Sequence, residues 1–393
     1  MTYPRLATIK NCTACLACVA SCPKKALYKE IDNDGHYIIK CNYDYCVQCG
    51  LCEKVCPIIN DKNCGCNEQL HSTKACKGWS LENEYRKRGT SGGAFGIIAY
   101  NFILNGGVVV GATLQNNVCK HIVIDCVENI SLLQGSKYIY SCMDDIYSEI
   151  KTLLQNRKKI LFSGLPCQVA GIVSYFKNNP FKENLYTIDL VCGGIPSLLL
   201  QKRFLERHPN STIKYFRNKH HYVLGYEQDN RMIEDAKHNL LISGFLSGLT
   251  NRYSCYDCKF AHAHRISDIT LGDYWQKDKE NSKGVSLILV HSDRMEKLLT
   301  LKNLYLEEVE WGDFLPFNPK IIKGRIKWEN RWERKYLGVL YRKISPYYFD
   351  AIYSSNVKRF DVFSFCYLVY KKIRMMIEQR NRKKHVENFL KTI

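Results

Sequence analysis

The sequence lacks the segments that carry a chain into or across a membrane. Residues Met1–Lys10 contain no apolar core of the kind found in secretory signals. The longest apolar stretch, Ile97–Leu114, is interrupted by two asparagines and two glycines, and Phe360–Tyr370 is too short to span a bilayer. We therefore expect a cytoplasmic protein, whose thiols stay reduced.

Acidic residues are also in short supply. The 393 residues include 38 Asp and Glu against 57 Lys and Arg, so the formal net charge is +19 when every thiol is counted as neutral. Such a chain attracts acidic partners, namely an acidic redox protein, an anionic membrane surface, a phosphorylated substrate or nucleic acid. Because the sequence has no recognised nucleic-acid motif, we expect no nucleic-acid partner.

Cysteine, in contrast, is abundant, with 20 residues. In a reducing compartment such thiols are more often metal ligands or catalytic groups than disulfides. Eight of them form two runs of equal spacing, which are Cys12-x2-Cys15-x2-Cys18-x3-Cys22-Pro23 and Cys46-x2-Cys49-x2-Cys52-x3-Cys56-Pro57. A pair of zinc sites is the alternative, but zinc usually takes its four ligands in two pairs, which this pattern fits poorly.

The spacing predicts two 4Fe-4S clusters that share their ligands. Three close thiolates wrap one iron–sulfur cube, and the fourth cysteine of each run serves the other cube. One cluster should therefore bind Cys12, Cys15, Cys18 and Cys56, and the other Cys46, Cys49, Cys52 and Cys22. Gly50 suits a loop position with positive φ. Five apolar side chains are expected to shield the clusters from water: Leu16, Val19, Val47, Leu51 and Val55.

Because each cluster with its thiolates carries roughly −2, two or three of them leave the folded chain at about +13 to +15. With 46% apolar residues the chain should be mostly globular. We predict an α+β chain in which residues 1–60 form a bacterial 2x(4Fe-4S) ferredoxin domain and residues 61–78 form a linker. Residues 79–310 should form an α/β domain with a largely parallel sheet. Residues 311–393 end in a basic helical tail.

The α/β prediction rests on alternating apolar segments. Predicted helices are Ala94–Leu104, Asp144–Gln155, Gln168–Phe176 and Arg294–Leu301. Predicted strands are Val108–Leu114, His121–Val127, Lys159–Phe162, Tyr186–Val191 and Val285–His291.

Two glycine-containing segments of this second domain are suited to binding. Thr90-Ser91-Gly92-Gly93 directly precedes a predicted helix, where exposed N–H groups bind an anion such as a cofactor phosphate; an ordinary N-cap is the alternative. Gly135-Ser136-Lys137-Tyr138 places a cation beside an aromatic ring, although the lysine could simply be solvated.

Four further cysteines could form a third site. Cys167 and Cys192 each follow a predicted strand, at the sheet edge where ligands collect in open α/β folds, and Cys255-x2-Cys258 lies on a predicted loop. These thiols suffice for a third 4Fe-4S cluster, or they are two buried core thiols and an unrelated pair. Four cysteines outside these patterns are interpreted as free thiols: Cys41, Cys64, Cys66 and Cys76.

In this order the motifs, together with Ser267–Asp273, resemble the beta subunits of coenzyme F420 (deazaflavin) hydrogenases and dehydrogenases over roughly residues 10–305. The resemblance implies an FAD-binding domain and favours the third cluster. It makes nine residues candidates to hold the flavin: Thr90, Ser91, Gly92, Gly93, Ser136, Lys137, Pro166, Cys167 and Gln168. Gly193 stands where many relatives have histidine, and nothing identifies a deazaflavin site.

The resulting hypothesis is an iron–sulfur flavoprotein oxidoreductase that passes electrons between 4Fe-4S clusters and FAD, to or from a small organic substrate or a partner such as a ferredoxin. The alternative is a non-catalytic relay subunit of a larger complex. The tail Lys358–Lys391 is interpreted as a helix packed on the protein body, or as a basic amphipathic helix on the inner face of a membrane. Its interleaved apolar residues are Phe360, Phe363, Phe365, Val369, Ile373, Met376 and Ile377.

Overall fold

The computed structural model describes residues 4–60, 73–218, 221–236, 240–248, 250–275, 283–299, 302–322 and 362–392. The strands are β1 Leu27–Ile31, β2 Tyr37–Cys41, β3 Lys74–Ser80, β4 Val108–Gln115, β5 Val118–Ile124, β6 Ile160–Ser163, β7 Leu185–Leu190, β8 Thr212–Tyr215, β9 Val223–Gln228, β10 Arg231–Ala236, β11 Ile269–Asp273, β12 Ser286–Val290 and β13 Leu304–Glu308. The helices are α1 Ala17–Ser21, α2 Leu51–Lys54, α3 Asn83–Arg88, α4 Ala94–Leu104, α5 Ile130–Leu133, α6 Ile146–Gln155, α7 Pro166–Phe176, α8 Leu198–Arg207, α9 Leu240–Ser247, α10 Asp293–Leu299, α11 Trp311–Phe314 and α12 Val362–Leu390.

The ferredoxin module, residues 4–60, repeats its backbone as well as its cysteines. Strands β1 and β2 pair antiparallel between the two runs. Ala14 and Leu16 in the first run have φ of 53° and 67°, and the equivalent Gln48 and Gly50 have 52° and 70°. The positive φ expected at Gly50 is therefore confirmed. At Leu16 the same conformation costs a side-chain-bearing residue about 1–2 kcal/mol, so the loop geometry prevails over local preference.

Eight strands form the main sheet in the order β13-β3-β12-β11-β7-β6-β4-β5. The pairs β4–β6, β6–β7 and β7–β11 are parallel, whereas the other four pairs are antiparallel. The prediction of a largely parallel sheet is therefore wrong for the flanks. One cause is local, because Asn116 and Asn117 adopt positive φ in a two-residue turn that folds β5 back onto β4.

Several predicted boundaries also change. Residues 74–78, assigned to a linker by sequence, belong to strand β3, which lies between β12 and β13. Strand β5 ends at Ile124 rather than Val127, and helix α7 begins two residues early, at Pro166. Most of the predicted linker, residues 61–72, lies outside the described residues.

Alternate residues of the parallel strands face two different helical layers. Val109, Leu161 and Ile188 pack with α4 and α10, while Val110 and Phe162 pack with α6 and α7. The ferredoxin module joins the second of these layers, because Cys15, Leu16 and Ala17 belong to the same buried cluster. The first cysteine run is therefore docked directly on the α6–α7 face of the sheet.

The small sheet β10-β9-β8 packs with α8 and α9 beside the main sheet. Helix α12 packs against Trp311, Phe314 and Ile321 through Val386, Phe389 and Leu390. Phe360, Lys358 and Arg359, which the sequence places in the tail, lie outside the described residues. Within the described part of the chain, the helices lack the combination of length and apolarity needed to cross a membrane.

Candidate redox-cofactor sites

The structure brings together four thiols from both cysteine runs. The pKa of Cys15 is raised to about 12, mainly by burial and also by the adjacent thiols of Cys12 and Cys56. Burial also raises the pKa of Cys18, which has Cys15, Cys12 and Cys56 as neighbours. The first group therefore consists of three thiols from the first run and the last thiol of the second run, the predicted set.

The second group lines a small cavity of about 110 Å³ and consists of Cys22, Cys46, Cys49 and Cys52. Cys41, interpreted above as a free thiol, lies beside this group. Its pKa is raised to about 11, first by burial and second by the neighbouring thiol of Cys46. Val47 lines this cavity, although it is 57% exposed. Leu51 is not among the lining residues and is 40% exposed, so it does not provide the predicted shielding.

The third group combines Cys167, Cys192, Cys255 and Cys258, whose thiols are mutual neighbours. Cys167 is in the first turn of α7, just after β6, and Cys192 follows β7. Cys255 lies in a short 3-10 turn over Tyr253–Asp257. Since the four come from three separate segments, the interpretation as unrelated core thiols does not describe their arrangement.

The chemistry of these groups fits iron–sulfur ligation. Backbone N–H groups donate to the sulfurs of Cys12, Cys22, Cys192 and Cys255 over 3.4, 3.2, 3.3 and 3.4 Å, an interaction that tunes cluster potentials. Buried thiols that raise one another's pKa favour a cationic iron cluster, which takes them as thiolates. Among the described residues, no three His, Cys, Asp or Glu side chains converge as ligands of a single metal ion.

Helix α7 connects the first and third groups. The thiol of Cys15 is a neighbour of Cys167. One turn further along α7, about 6 Å, a Cβ on Gly171 would lie only 2.8 Å from the Cβ of Cys15. The hydroxyls of Tyr140 and Tyr147 donate to the carbonyls of Ala14 and Cys15 over 2.7 Å each, so the first cysteine loop is also held by α6 and the segment that precedes it.

A cavity of about 460 Å³ lies next to the third group, and Cys192 is part of its wall. Six of the nine predicted flavin residues line it: Thr90, Ser91, Gly93, Ser136, Lys137 and Gln168. The other three do not. Gly92 is packed against β3, where a Cβ would lie 2.5 Å from the carbonyl oxygen of Gly78; Pro166 starts α7; and Cys167 belongs to the third group.

The loop before α4 leaves the helix N-terminus open to this cavity. Ser91 donates to the carbonyl of Val285 over 2.6 Å, and the hydroxyls of Thr90 and Ser136 are 3.0 Å apart. Gly93 occupies the N-cap with φ of 77°, and its position has no side-chain cap. Gly93 is therefore an N-cap without a capping side chain, and the first turn of α4, whose N–H groups have no partner within the helix and suit an anion, lines the cavity.

Burial lowers the pKa of two titratable side chains in the cavity wall. Lys137 donates to the carbonyls of Leu133 and Gln134 over 2.8 Å each, and burial lowers its pKa to about 8, so the solvated interpretation is wrong. Burial lowers the pKa of His121 to about 4 and keeps it neutral. Its Nε2 faces the carbonyl of Ser163 at 3.1 Å and must carry the proton, so Nδ1 accepts from Ser141 at 2.7 Å.

Sequence reasoning missed most of the basic side of the cavity. Arg217 makes two bonds of 2.6 and 3.0 Å to Asp273, whose carboxylate holds the arginine pKa above its ordinary value although burial opposes this. Lys320 and Arg382 complete this side. Only Asp273 had a signal in the sequence, in the Gly272-Asp273 motif. Asp268, which precedes β11, instead accepts hydrogen bonds from Thr187 of β7 and Arg294 of α10.

Comparison with known families identifies both parts of the chain. Residues 157–312 match the model of the C terminus of the beta subunit of coenzyme F420 hydrogenase/dehydrogenase. Residues 11–58 match the 4Fe-4S dicluster domain. Residues 157–312 belong to this beta-subunit family. This beta-subunit homologue is accordingly an iron–sulfur protein with an N-terminal ferredoxin-like domain, as the motifs predicted.

Two relatives match the ferredoxin module of the homologue. The ketoisovalerate oxidoreductase subunit VorC of Methanothermobacter marburgensis is 35% identical over 60 residues, which are 15% of this chain and 75% of VorC. The pyruvate synthase subunit PorD of Thermotoga maritima is 42% identical over 48 residues, 12% of this chain and 44% of PorD. Both relatives are named as subunits of larger enzymes.

A solved structure also resembles the homologue. A chain of the F420-reducing [NiFe] hydrogenase complex from Methanosarcina barkeri, studied by xenon derivatization, is 16% identical, and the match covers 60% of this chain and 81% of that one with a TM-score of 0.45.

Proposed function

We propose that this beta-subunit homologue is an iron–sulfur flavoprotein oxidoreductase, which passes electrons between 4Fe-4S clusters and FAD, to or from an organic substrate or redox partner. When bound, FAD supplies conversion between the one-electron chemistry of clusters and two-electron hydride chemistry. The observation that carries the proposal is the shared wall: Cys192 belongs both to the third thiol group and to the 460 Å³ cavity.

The residues of the cavity support a flavin in this position. The open N-terminus of α4 offers N–H groups to a phosphate, and Thr90 and Ser136 add hydroxyls. Lys137 brings a positive charge that would favour a reduced, anionic ring system. Gln168 is fixed by donating to the carbonyl of Ser141 over 3.0 Å and by accepting from the N–H of Leu165 over 2.9 Å, so its position is set before any ligand binds.

A relay subunit without its own substrate is the second candidate. It is favoured by the exposed second cysteine loop, where Cys49 and Val47 face solvent and a partner protein could approach. The relatives VorC and PorD, which are subunits, agree with this candidate. An acidic ferredoxin is the partner class that the net charge of the chain suits.

Anaerobic purification with iron and flavin counted per chain tests the proposal. Three thiol groups predict about 12 iron atoms and two predict about 8, together with one FAD for the enzyme. Cys167→Ser should lower iron to about 8, whereas Cys126→Ser, at a thiol outside the three groups, should leave it unchanged. Absence of flavin after reconstitution would contradict the proposal of a flavin-dependent enzyme and leave the relay subunit as the remaining candidate.

Membrane contact is a further proposal about partners. Ile373, Met376 and Ile377 are exposed on one face of α12 and are interspersed with basic residues. The full-length protein should then float with vesicles containing anionic lipid but not with neutral vesicles. Equal behaviour with both kinds of vesicle would contradict this contact.

A further inference from the structure

Arg252 is a buried arginine at the junction between the ferredoxin module and the second domain. The residue is 3% exposed, and its Nη1 donates to the carbonyl of Tyr37, in the module, over 2.6 Å. The guanidinium carbon lies 5.9 Å from the centre of the Tyr140 ring. The backbone of Arg252 donates to the carbonyl of Ile195 over 2.9 Å and accepts from the N–H of Cys255 over 3.0 Å. The residue is therefore held from both sides of the junction.

The guanidinium lies between the first and third thiol groups. Tyr140, whose ring it faces, donates to the carbonyl of Ala14 in the first cysteine loop over 2.7 Å. Burial raises the pKa of Cys12, and it raises the pKa of Cys255 to about 12; the charge of Arg252 opposes the rise in both thiols. The same cation is thus a neighbour of one thiol in each group.

The positive charge of Arg252 has no carboxylate partner among the described residues. In that part of the chain its buried Nε also lacks a hydrogen-bond partner. An isolated buried cation is costly, because it loses its hydration without compensation. A 4Fe-4S cluster with four thiolates carries roughly −2, so clusters in the two adjacent thiol groups would supply the counter-charge of Arg252.

Arg265 shows the contrasting arrangement. It is also buried, and it lies beside Cys192 and Cys258 of the third group. Its Nη1, however, is 3.4 Å from a carboxylate oxygen of Asp189. The charge of Arg265 therefore has a counter-ion within the protein, whereas the charge of Arg252 depends on the clusters.

We propose that Arg252 sets the reduction potentials of the first and third clusters together: its charge raises both relative to the second cluster and so favours movement of electrons inward from the exposed loop. This rests on the proposed function, because it requires the third cluster. A positive charge stabilises the reduced, more negative form of a cluster, and most strongly in a buried site of low dielectric constant. The second group includes the exposed Cys49, where water weakens such an effect.

The proposed step moves a single electron, which a partner such as a ferredoxin supplies to the second cluster. The second cluster is oxidised by one electron, an inner cluster is reduced by one, and no bond forms or breaks. Arg252 acts on this step through the potentials alone.

Redox titration of the anaerobic holoprotein, followed by electron paramagnetic resonance, tests the inference. Arg252→Gln should lower the potentials of the first and third clusters by about 59 mV or more, a tenfold change in the one-electron equilibrium, and leave the second cluster within about threefold. Arg252→Lys keeps the charge and should recover most of both potentials. The signal that disappears in Cys167→Ser identifies the third cluster.

Arg231→Gln is the matched control, because Arg231 is exposed in β10 and the charge change is equal. Its three equilibria should each change less than about threefold, since solvent and salt screen an exposed charge. Loss of the first and third clusters from Arg252→Gln, with both retained in Arg252→Lys, would also support the proposal, because these variants differ in charge.

Three results would overturn the proposal. The potentials of Arg252→Gln could equal those of Arg231→Gln, or all three clusters could shift equally in Arg252→Gln. Potentials in Arg252→Lys as low as those in Arg252→Gln would make the contact with Tyr37, rather than the charge, responsible. A wild-type protein with only two clusters would contradict this inference together with the third cluster. One with three clusters, the predicted shifts and no flavin would contradict the proposed function alone and support the role of Arg252.

Discussion

The two cysteine loops of the ferredoxin module have the same spacing and the same backbone conformation, yet their surroundings differ. Cys15 and Leu16 in the first loop are 8% and 2% exposed. Their equivalents, Cys49 and Gly50, have no comparable cover: Cys49 is exposed, and a Cβ on Gly50 would meet no atom within 4 Å. The internal repeat therefore duplicates a ligand loop without duplicating its environment.

The second domain causes this difference. Helices α6 and α7 pack on the first loop, and Tyr140 and Tyr147 bind its carbonyls. Further contacts hold the rest of the module, since Arg252 donates to the carbonyl of Tyr37 over 2.6 Å and Lys29 pairs with Asp144. The comparison teaches that docking, rather than the cysteine motif, makes one loop an inner site and the other an outer one.

Acidification should destabilise the domain that covers the first loop, and this is the largest effect that we predict. Burial lowers the pKa of His121 to about 4 and that of His291 to about 3, against roughly 6.5 in the unfolded chain. At any pH between the folded and the unfolded pKa of these histidines, the unfolded chain binds more protons than the folded chain does. Stability is therefore fully present above about pH 6.5 and is lost as pH falls toward 4, by up to about 1.4 kcal/mol per pH unit for each histidine.

Urea denaturation of the cluster-free protein between pH 7.5 and 5, followed by tryptophan fluorescence, checks this. All five tryptophans lie outside the ferredoxin module, so the fluorescence signal does not come from the module itself. His121→Gln should reduce the slope by about half, because one of two titrating groups is removed. A free energy of unfolding that stays flat over this range would show that the buried histidines are not the cause.

Gly171→Ala should disrupt the docking itself. The new Cβ would lie 2.8 Å from the Cβ of Cys15 and from the hydroxyl of Tyr147, where both partners are buried. Overpacking of this kind costs about 1–3 kcal/mol, and we expect iron to be lost from the first group before the second. Anaerobic thermal unfolding and iron per chain measure the two effects.

Gly312→Ala is the control, because a Cβ there meets no atom within 4 Å. Gly50→Ala adds a second comparison in the outer loop: its cost, about 1–2 kcal/mol, should come from the positive φ alone. If Gly171→Ala behaves like Gly312→Ala, the close approach of α7 to Cys15 is not a structural requirement.

Tyr147→Phe should have a smaller effect, confined to one hydrogen bond. Removing the hydroxyl deletes one hydrogen bond to the buried carbonyl of Cys15, at a cost of about 0.5–1.5 kcal/mol. Tyr305→Phe deletes a surface bond of 3.0 Å to Glu307 and should change stability by less than about 0.5 kcal/mol. Equal melting temperatures for the two variants would argue against a role for Tyr147 in holding the inner loop.

The sequence predicted what local patterns encode. The cysteine spacing led to the grouping of Cys56 with the first run and Cys22 with the second, and apolar runs located β4, β6 and β7. Segments that follow buried strands, such as the one with Cys192, lay at the cavity as expected, because strand ends share one sheet edge.

Features that depend on packing between distant parts of the chain could not be predicted from the sequence. Val47 and Leu51 have the apolar character of shielding residues, yet they are 57% and 40% exposed, and how much of each is covered depends on the packing of distant parts of the chain. Arg382 lies in a basic segment with no motif, and its place in the cavity depends on how α12 packs through Val386. The antiparallel pairing of β3 with β12 and β13 likewise joins strands that are far apart in the sequence, so no local pattern predicts it.

Val47→Glu should change function at the outer loop with almost no effect on stability. The side chain is 57% exposed, so the free energy of unfolding should change by less than about 0.5 kcal/mol. If an acidic redox partner approaches this loop, the new carboxylate should slow electron transfer about threefold to tenfold at low salt, and the difference should fade above about 0.15 M salt. Stopped-flow oxidation of a reduced acidic ferredoxin measures the rate.

The variant Val118→Glu distinguishes an effect of charge at the outer loop from an effect of the protein's net charge. Val118 is 58% exposed at the start of β5, in the second domain, so the same charge is added at a distance from the cysteines. A rate that falls only in Val47→Glu would make the outer loop the docking point, since charge repulsion decays within a Debye length of about 8–10 Å. Equal slowing in both variants would mean that the partner responds to the overall charge of the protein, and that the exposed loop has no special part in docking.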